Sequence, residues 1–151
     1  MSTQKSLRAR AMDILSRREV SRLELKRKLA AYAESEEEID AVLEEFSEHN
    51  WQSDERYAEA YIHSKSPKHG ILRLKQGLAA KGVEKELVET YLPDSEQELQ
   101  NACAVLRKKF KVPPEDWKEQ QRYLRFLAYR GFTSDSAYRA LDLAWEEEET
   151  E

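Results

Sequence analysis

The sequence predicts an all-α protein, an elongated array of three tandem three-helix repeats. Apolar side chains recur at helical spacing along most of the chain, and no segment shows the sustained alternation typical of a β-strand. A similar short motif recurs at a fixed interval, because Leu29, Leu78 and Leu127 stand 49 residues apart. The 151 residues include only four glycines and four prolines, too few for the many turns of a sandwich or barrel. Such short units bury their apolar stripes by stacking on one another.

The first repeat, residues 1–52, is predicted to contain three helices. The first helix has an apolar face formed by Leu7, Ala11, Ile14 and Leu15. Ser21-x-x-Glu24 and Ser35-x-x-Glu38 are capping boxes, in which the serine hydroxyl accepts a free backbone N–H and the glutamate reaches back. They predict the starts of the second and third helices. The third helix carries a strongly periodic apolar face: Ile39, Val42, Leu43 and Phe46.

The second repeat, residues 53–94, contains two breaks that divide it into helices. Pro67 and Gly70 end its first helix. The next helix stops at Gly82, which we expect in the left-handed conformation that follows many helices. A short third helix is closed by Pro93.

The third repeat, residues 95–151, begins with the capping box Ser95-x-x-Glu98. Its first helix carries Cys103 on an apolar stripe, where a small core residue is much commoner than a nucleophile. The second helix ends at Gly131. The last helix is expected to bury Ala137, Tyr138, Leu141 and Trp145. Trp117 and Tyr129 are the aromatic side chains least expected to be buried.

Charge alternates along the chain in step with the repeats. The formal net charge is −5, from 25 basic and 30 acidic residues. Basic blocks alternate with acidic blocks, in the order 1–30, 31–60, 61–85, 86–100, 101–130 and 131–151. Within each repeat the basic residues lie mainly on the first two helices and the acids on the third. Stacked repeats would therefore present a basic side and an acidic side.

The composition excludes several classes of protein. No run approaches the roughly 18 apolar residues of a membrane span, so we expect no membrane partner. The polar, basic first ten residues lack the apolar stretch of a secretory signal. Cys103 is the one cysteine, so no internal disulfide framework is expected. A reducing cytoplasm is the simplest compartment for such a chain.

The sequence contains no recognisable catalytic motif. Phosphate-binding loops, dinucleotide fingerprints, zinc-protease motifs and nucleophile elbows are absent. His63 and His69 flank the loop at Pro67, but no cysteine joins them and a zinc site needs four ligands. Carboxylate pairs such as Glu44 and Glu45 lie on runs expected to face water. We therefore expect a binding protein, not an enzyme, with no cofactor and no metal.

Four segments together resemble the RecX family of regulatory proteins. Residues 51–58 (WQSDERYA), followed by Tyr61-Ile62, look like the central signature of that family. Residues 68–83 (KHGILRLKQGLAAKGV) resemble its second repeat. Residues 26–29 (KRKL) and 126–132 (FLAYRGF) resemble its first and third repeats. The resemblance spans nearly the whole chain.

The resemblance implies a cytoplasmic bacterial modulator of the RecA recombinase, acting in DNA repair, DNA recombination and the SOS response. Members of the family bind in the groove of the RecA–DNA filament and inhibit its ATPase, its recombinase activity and filament growth. Some also bind DNA directly. Family members are commonly basic, whereas this chain is acidic, so binding to bare single- or double-stranded DNA is expected to be weak. We expect a monomer.

Basic residues on the first two helices of each repeat are the predicted contacts to the filament or DNA. Their positive charges suit the negatively charged parts of a nucleoprotein filament, although surface cations also serve solubility. The predicted set is Arg17, Arg18, Arg22, Lys26 and Arg27 in the first repeat, Lys65, Lys68, Arg73, Lys75 and Lys81 in the second, and Lys108, Lys109, Arg122, Arg125 and Arg130 in the third.

Two alternatives remain open from the sequence. The short step between helices at Val20-Ser21 invites a stand-alone helix-turn-helix protein that binds nucleic acid. A recognition helix normally carries several base-reading side chains near its start, and this one offers only Arg22. The other alternative is a helical-repeat scaffold for a different protein partner.

Overall fold

The structure is a computed structural model that describes residues 5–146. Over this range the chain is helical and contains no strand, which confirms the all-α fold class. The helices are, in chain order, α1 (Leu7–Arg17), α2 (Arg22–Leu29), α3 (Glu36–Glu48), α4 (Asp54–Lys65), α5 (Ile71–Ala80), α6 (Lys85–Tyr91), α7 (Ser95–Lys109), α8 (Trp117–Tyr129) and α9 (Ser134–Leu143). None of these helices is long and apolar enough to cross a membrane.

The chain divides into two compact units. The first unit comprises the residues up to Tyr61 together with Leu78–Tyr91. The second comprises Ile62–Gly77 together with the chain from Leu92 onward. The division passes through α4 and α5, which both belong to the second predicted repeat. The three repeat boundaries drawn from the sequence stay a prediction.

The helix starts in the first unit follow the predicted caps. The Ser21 hydroxyl accepts a hydrogen bond from the Glu24 N–H at 3.1 Å, and Ser35 caps α3 in the same way. The prediction that the Glu24 side chain reaches back to Ser21 is wrong. The Glu24 carboxylate does not bond back to Ser21, because it pairs with Arg18 and Lys81.

The cores of the two units lie among successive helices. In the first unit, α1, α2 and α3 pack around one core, which buries all four apolar side chains predicted on α3. In the second unit, α7, α8 and α9 enclose another core. Cys103 is buried in this second core, as predicted, and its burial raises the pKa of the thiol. A thiol held protonated in this way is a poor nucleophile.

Exposed aromatic side chains mark α8 and α9. Trp117 is 73% exposed and Tyr129 is 76% exposed, which confirms that these two are not core residues. Tyr138 is 56% exposed, and its predicted burial is wrong. The buried face of α9 runs through Ala137 and Leu141, and the next residue after Ala137 points about 100° away around the helix.

The start of α7 differs from the prediction by one residue. Asp94 is the N-cap and accepts a hydrogen bond from the Gln97 N–H at 2.8 Å, whereas Ser95 is the first helical residue. Glu98 therefore does not complete a capping box. Its side chain is only 2% exposed and is buried within the second unit.

The buried Glu98 carboxylate joins two other helix starts. One oxygen accepts a hydrogen bond from the Ile71 N–H, the first residue of α5, at 3.1 Å. The other accepts from the Ser136 hydroxyl in the first turn of α9 at 3.4 Å. Because the start of a helix carries unpaired N–H groups and partial positive charge, it suits a buried carboxylate.

Replacing Glu98 with alanine is expected to lower the free energy of unfolding by about 2 kcal/mol, because it removes the acceptor of the partly buried Ile71 N–H and of the buried Ser136 hydroxyl. Glu98→Gln keeps an acceptor at the same place and is expected to cost less than half as much. Urea titration of both variants, followed by circular dichroism, measures the difference. Equal losses in the two variants would show that the hydrogen bond to Ile71 is unimportant.

A close backbone contact connects α5 to the end of α8 within the second unit. The Gly70 N–H donates to the Arg130 carbonyl at 2.8 Å, and the Leu72 N–H donates to the Gly131 carbonyl at 3.0 Å. A Cβ on Gly70 would lie 2.4 Å from the backbone of Gly131. Gly131 itself has φ +92°, which side-chain-bearing residues rarely adopt. This contact places the Arg73 backbone against Gly131.

Candidate anion-binding interface

The second unit carries a cationic concavity of about 410 Å³, here called the basic concavity. Four cations and two apolar side chains line it: Lys68, Lys108, Lys109, Arg130, Val105 and Phe126. None of the described residues of this lining carries a carboxylate. All four cations belong to the set predicted from the sequence. The concavity thus combines concentrated positive charge with an apolar floor.

Three different parts of the second unit supply these cations. Lys68 lies in the short segment between α4 and α5. Lys108 and Lys109 lie in the last turn of α7, where the partial negative charge of a helix end favours cations. Arg130 follows α8 as its C-cap, and its guanidinium lies 5.2 Å from the Phe126 ring centroid, one helical turn away.

The charges of the basic concavity are not neutralised by any acid within residues 5–146. Among residues 5–146, no ion pair joins Lys68, Lys108, Lys109 or Arg130 to a carboxylate. Arg73 on α5 also forms none. Positive charges without an internal partner are available to an external anion.

The pKa of His69 is affected by the positive charges at and beside the basic concavity. Its Nδ1 is buried and makes no hydrogen bond to the described protein. Burial lowers the pKa of His69 most, and the positive charges of four neighbouring cations lower it further: Arg73, Lys65, Arg130 and Lys68. The imidazole is therefore neutral at pH 7 and adds no charge of its own. The pKa of His69 is thus lowered by Lys65 and Arg73 as well as by Lys68 and Arg130, the two cations that line the basic concavity.

Arg73 and Tyr129 form a second feature of the second unit. The Arg73 guanidinium lies 5.5 Å from the Tyr129 ring centroid, and both side chains line a smaller cleft of about 220 Å³. The tyrosine ring is mostly exposed. A cation over an exposed ring offers both charge and a flat face to a ligand.

The other predicted cations of the second unit lie outside both clefts. Lys75 is exposed on α5, and Arg125 is exposed on α8. Arg122 is exposed, and its guanidinium lies 5.3 Å from the Phe110 ring centroid. Lys65, at the end of α4, is exposed but does not line the basic concavity.

Most predicted cations of the first unit are paired internally. The pairs join Arg18 and Lys81 to Glu24, Arg22 to Glu44, and Lys26 to Glu36 and Asp40, at 3.2 to 3.9 Å. Arg17 and Arg27 are exposed and form no ion pair with a described residue.

The prediction of separate basic and acidic sides is therefore wrong for the first repeat. The helices α2 and α3 share a core, so the basic face of one meets the acidic face of the other. Each of these pairs is partly exposed and contributes little stability. Of the acidic run at 146–149, only Glu146 lies within the described residues.

Sequence reasoning missed the parts of the interface that are not charged. Val105 and Phe126 form its floor, and Gly70 and Gly131 hold its elements together. The spacing of four between Phe126 and Arg130 was the one local signal that could have indicated their contact. The described residues contain no group of three or more histidine, cysteine or acidic side chains placed to hold a metal ion.

The sequence also matches known families and proteins. Residues 53–92 match the family described as "RecX, second three-helix domain", and residues 96–141 match "RecX, third three-helix domain". The chain is 65% identical over 147 residues to "Regulatory protein RecX" of Neisseria meningitidis serogroup C, covering 97% of this chain and 96% of that protein. It is 45% identical over 131 residues to the protein of the same name from Chromobacterium violaceum, covering 87% and 86%.

Its fold is similar to that of a solved structure, the crystal structure of RecX from Lactobacillus salivarius. The TM-score is 0.77 at 20% identity, with 91% of this chain and 95% of the other covered. The matches to the two proteins named "Regulatory protein RecX" show high sequence identity over most of the chain, in addition to the similar fold. The chain belongs to the RecX family of regulatory proteins.

Proposed function

We propose that this protein is a non-catalytic regulator that binds the groove of the RecA–DNA filament and inhibits its ATPase, its recombinase activity and its growth. The observation that carries the proposal is the basic concavity, which gathers four cations that form no ion pair with a carboxylate of residues 5–146. Membership of the RecX family supports RecA as the partner. The protein acts in the cytoplasm, as a monomer, with repeats bounded at 1–52, 53–94 and 95–151. The family matches over 53–92 and 96–141 support those boundaries.

The concavity suits the phosphates of the DNA held in the filament. Affinity for nucleic acid comes largely from lysine and arginine side chains that neutralise phosphates and release counterions. Arg130 adds a planar guanidinium that can bond two phosphate oxygens at once. Lys65 and Arg73 supply further positive charge beside these groups. The predicted basic face therefore has its strongest part in the second unit.

The paired cations of the first unit contribute less to this binding. Arg18, Arg22, Lys26 and Lys81 must give up a carboxylate before they bind a phosphate. This cost also disfavours the stand-alone helix-turn-helix alternative. Arg22, its one base-reading candidate, is held by Glu44 through its side chain and by Asp54 through its backbone N–H.

The direct test is the DNA-dependent ATPase of RecA, measured at rising concentrations of this protein. We expect the rate to fall with concentration and to approach zero at micromolar excess. A heat-denatured sample of the protein controls for buffer effects. An ATPase rate that does not change at micromolar excess would contradict the proposed function and favour a scaffold for another protein.

A further inference from the structure

The first unit has a separate cationic concavity, of about 430 Å³, on α1 and the end of α2. It is here called the Tyr32 concavity. Its polar lining is Lys5, Arg10, Asp13, Arg17, Lys28 and Tyr32. Of these residues only Arg17 belongs to the set predicted from the sequence. The other cations of this lining were not expected to take part in binding.

An aromatic ring and a guanidinium face each other in the Tyr32 concavity. The Arg10 guanidinium carbon lies 3.8 Å from the centroid of the Tyr32 ring. Tyr32 is nevertheless 57% exposed, so this contact does not bury it. Its backbone N–H donates to the Leu29 carbonyl at 3.0 Å, which fixes the turn that follows α2. The protein thus holds a large aromatic side chain at its surface, beside a cation.

Positive charge in the Tyr32 concavity exceeds negative charge. Asp13 is the one carboxylate among the described lining residues, and Lys5 binds it. The hydrogen bond from Lys5 is the main cause of the lowered pKa of Asp13, and further positive charges nearby add to it. Within the described residues, Arg10, Arg17 and Lys28 form no ion pair with a carboxylate. Three cations therefore remain for an external anion.

We propose that the Tyr32 concavity binds single-stranded nucleic acid, with one base stacked on the face of the Tyr32 ring that Arg10 does not cover and the adjoining phosphates on Arg17 and Lys28. Proteins capture single strands by pairing aromatic or guanidinium planes with cationic side chains. In a duplex the base faces are already stacked on one another. Duplex DNA would therefore bind the cations through its phosphates without stacking on the tyrosine ring. An acidic protein segment would do the same. The exposed ring is what favours a single strand.

The test uses bare oligonucleotides without RecA, so its outcome is independent of the proposed function. A fluorescein-labelled oligothymidylate of about 20 nucleotides is titrated with protein, and fluorescence anisotropy gives the affinity. A second strand has the same length and phosphates but abasic sugars throughout. Tyr32→Leu removes the ring, Tyr32→Phe keeps it, and Tyr138→Leu removes an equally exposed tyrosine outside the concavity. Thermal melting followed by circular dichroism confirms that each variant is folded.

Tyr32→Leu is expected to weaken binding of oligothymidylate about tenfold, the effect of losing one stacked base. The same variant is expected to bind the abasic strand as the wild type does. Tyr32→Phe and Tyr138→Leu are expected to match the wild type on both strands. Arg17→Gln and Lys28→Gln should each weaken both strands and reduce the salt slope of the affinity by about 0.7.

Three results would overturn the proposal. The first is wild-type protein that does not bind oligothymidylate at low salt. The second is unchanged oligothymidylate binding by Tyr32→Leu. The third is a loss of equal size on the two strands, which would reveal a purely electrostatic surface. Competition by polyglutamate that is equally effective against wild type and Tyr32→Leu would accompany that third result and point to an acidic protein segment.

Discussion

The fourfold variant that changes Lys68, Lys108, Lys109 and Arg130 to glutamine is expected to need on the order of 100-fold more protein than the wild type to halve the RecA ATPase. Each lysine or arginine that neutralises a phosphate contributes severalfold to affinity at physiological salt, and the contributions of well-separated contacts multiply. These four cations form no ion pair with a carboxylate in the described part of the chain, so their loss leaves no described acid unpaired. The fold is expected to survive because none of the four is buried.

A matched control separates this site from overall charge. The control changes to glutamine four exposed cations that lie outside both concavities and outside the predicted set: Lys85, Lys111, Lys118 and Arg139. Both fourfold variants have the same net charge. The control is expected to inhibit the ATPase within about threefold of the wild type, because its cations do not line the basic concavity and exposed charges that make no direct contact are weakened by salt screening. If it loses as much potency as the concavity variant, the basic concavity is not a specific site.

Gly70→Ala is expected to lower the free energy of unfolding by about 3 to 4 kcal/mol, at or above the upper end for overpacking, because the clash is with backbone. The new Cβ would overlap the backbone of Gly131, and neither side of the contact has a flexible side chain that could move away. Relief requires α5 to separate from the end of α8, which breaks the hydrogen bond from Gly70 to Arg130. The melting temperature is expected to fall by about 10 °C.

The control for this variant is Gln100→Ala, an exposed position on α7 where a change of about 0.5 kcal/mol or less is expected. Urea and thermal unfolding of wild type and both variants measure the difference. A Gly70→Ala variant as stable as the wild type would show that the glycine contact is not required to connect α5 to α8.

Features that depend on a few neighbouring residues were predictable from the sequence. Ser21 and Ser35 cap their helices because a serine hydroxyl reaches N–H groups only three residues ahead. Gly82 adopts φ +75°, as its place after a helical stripe predicts. The single apolar stripe that Cys103 shares with Leu99 and Leu106 correctly placed it in the core. Local geometry alone determines each of these outcomes.

Features that depend on residues distant in the chain were not predictable. Glu98 fits the pattern of a capping box, yet Asp94 takes the N-cap and the glutamate is buried against α5 and α9. Lys68 and Lys108 share one concavity although 40 residues separate them. Equally, the sequence could not show that Arg22 is paired with α3, since a charge pattern does not specify which helix faces meet. The charge pattern of the sequence shows where the cations are concentrated. Only the packing of the helices shows which of them form ion pairs with carboxylates.

The central claim is that the basic concavity binds the phosphates of the RecA–DNA filament. The most direct measurement is the affinity for filaments assembled on single-stranded DNA, determined by anisotropy over a series of salt concentrations, for wild type and the fourfold concavity variant. With about 0.7 counterions released per phosphate contact, the slope of log affinity against log salt is expected to be shallower in the variant by about 3. Equal affinities and equal slopes for the two proteins would contradict the account.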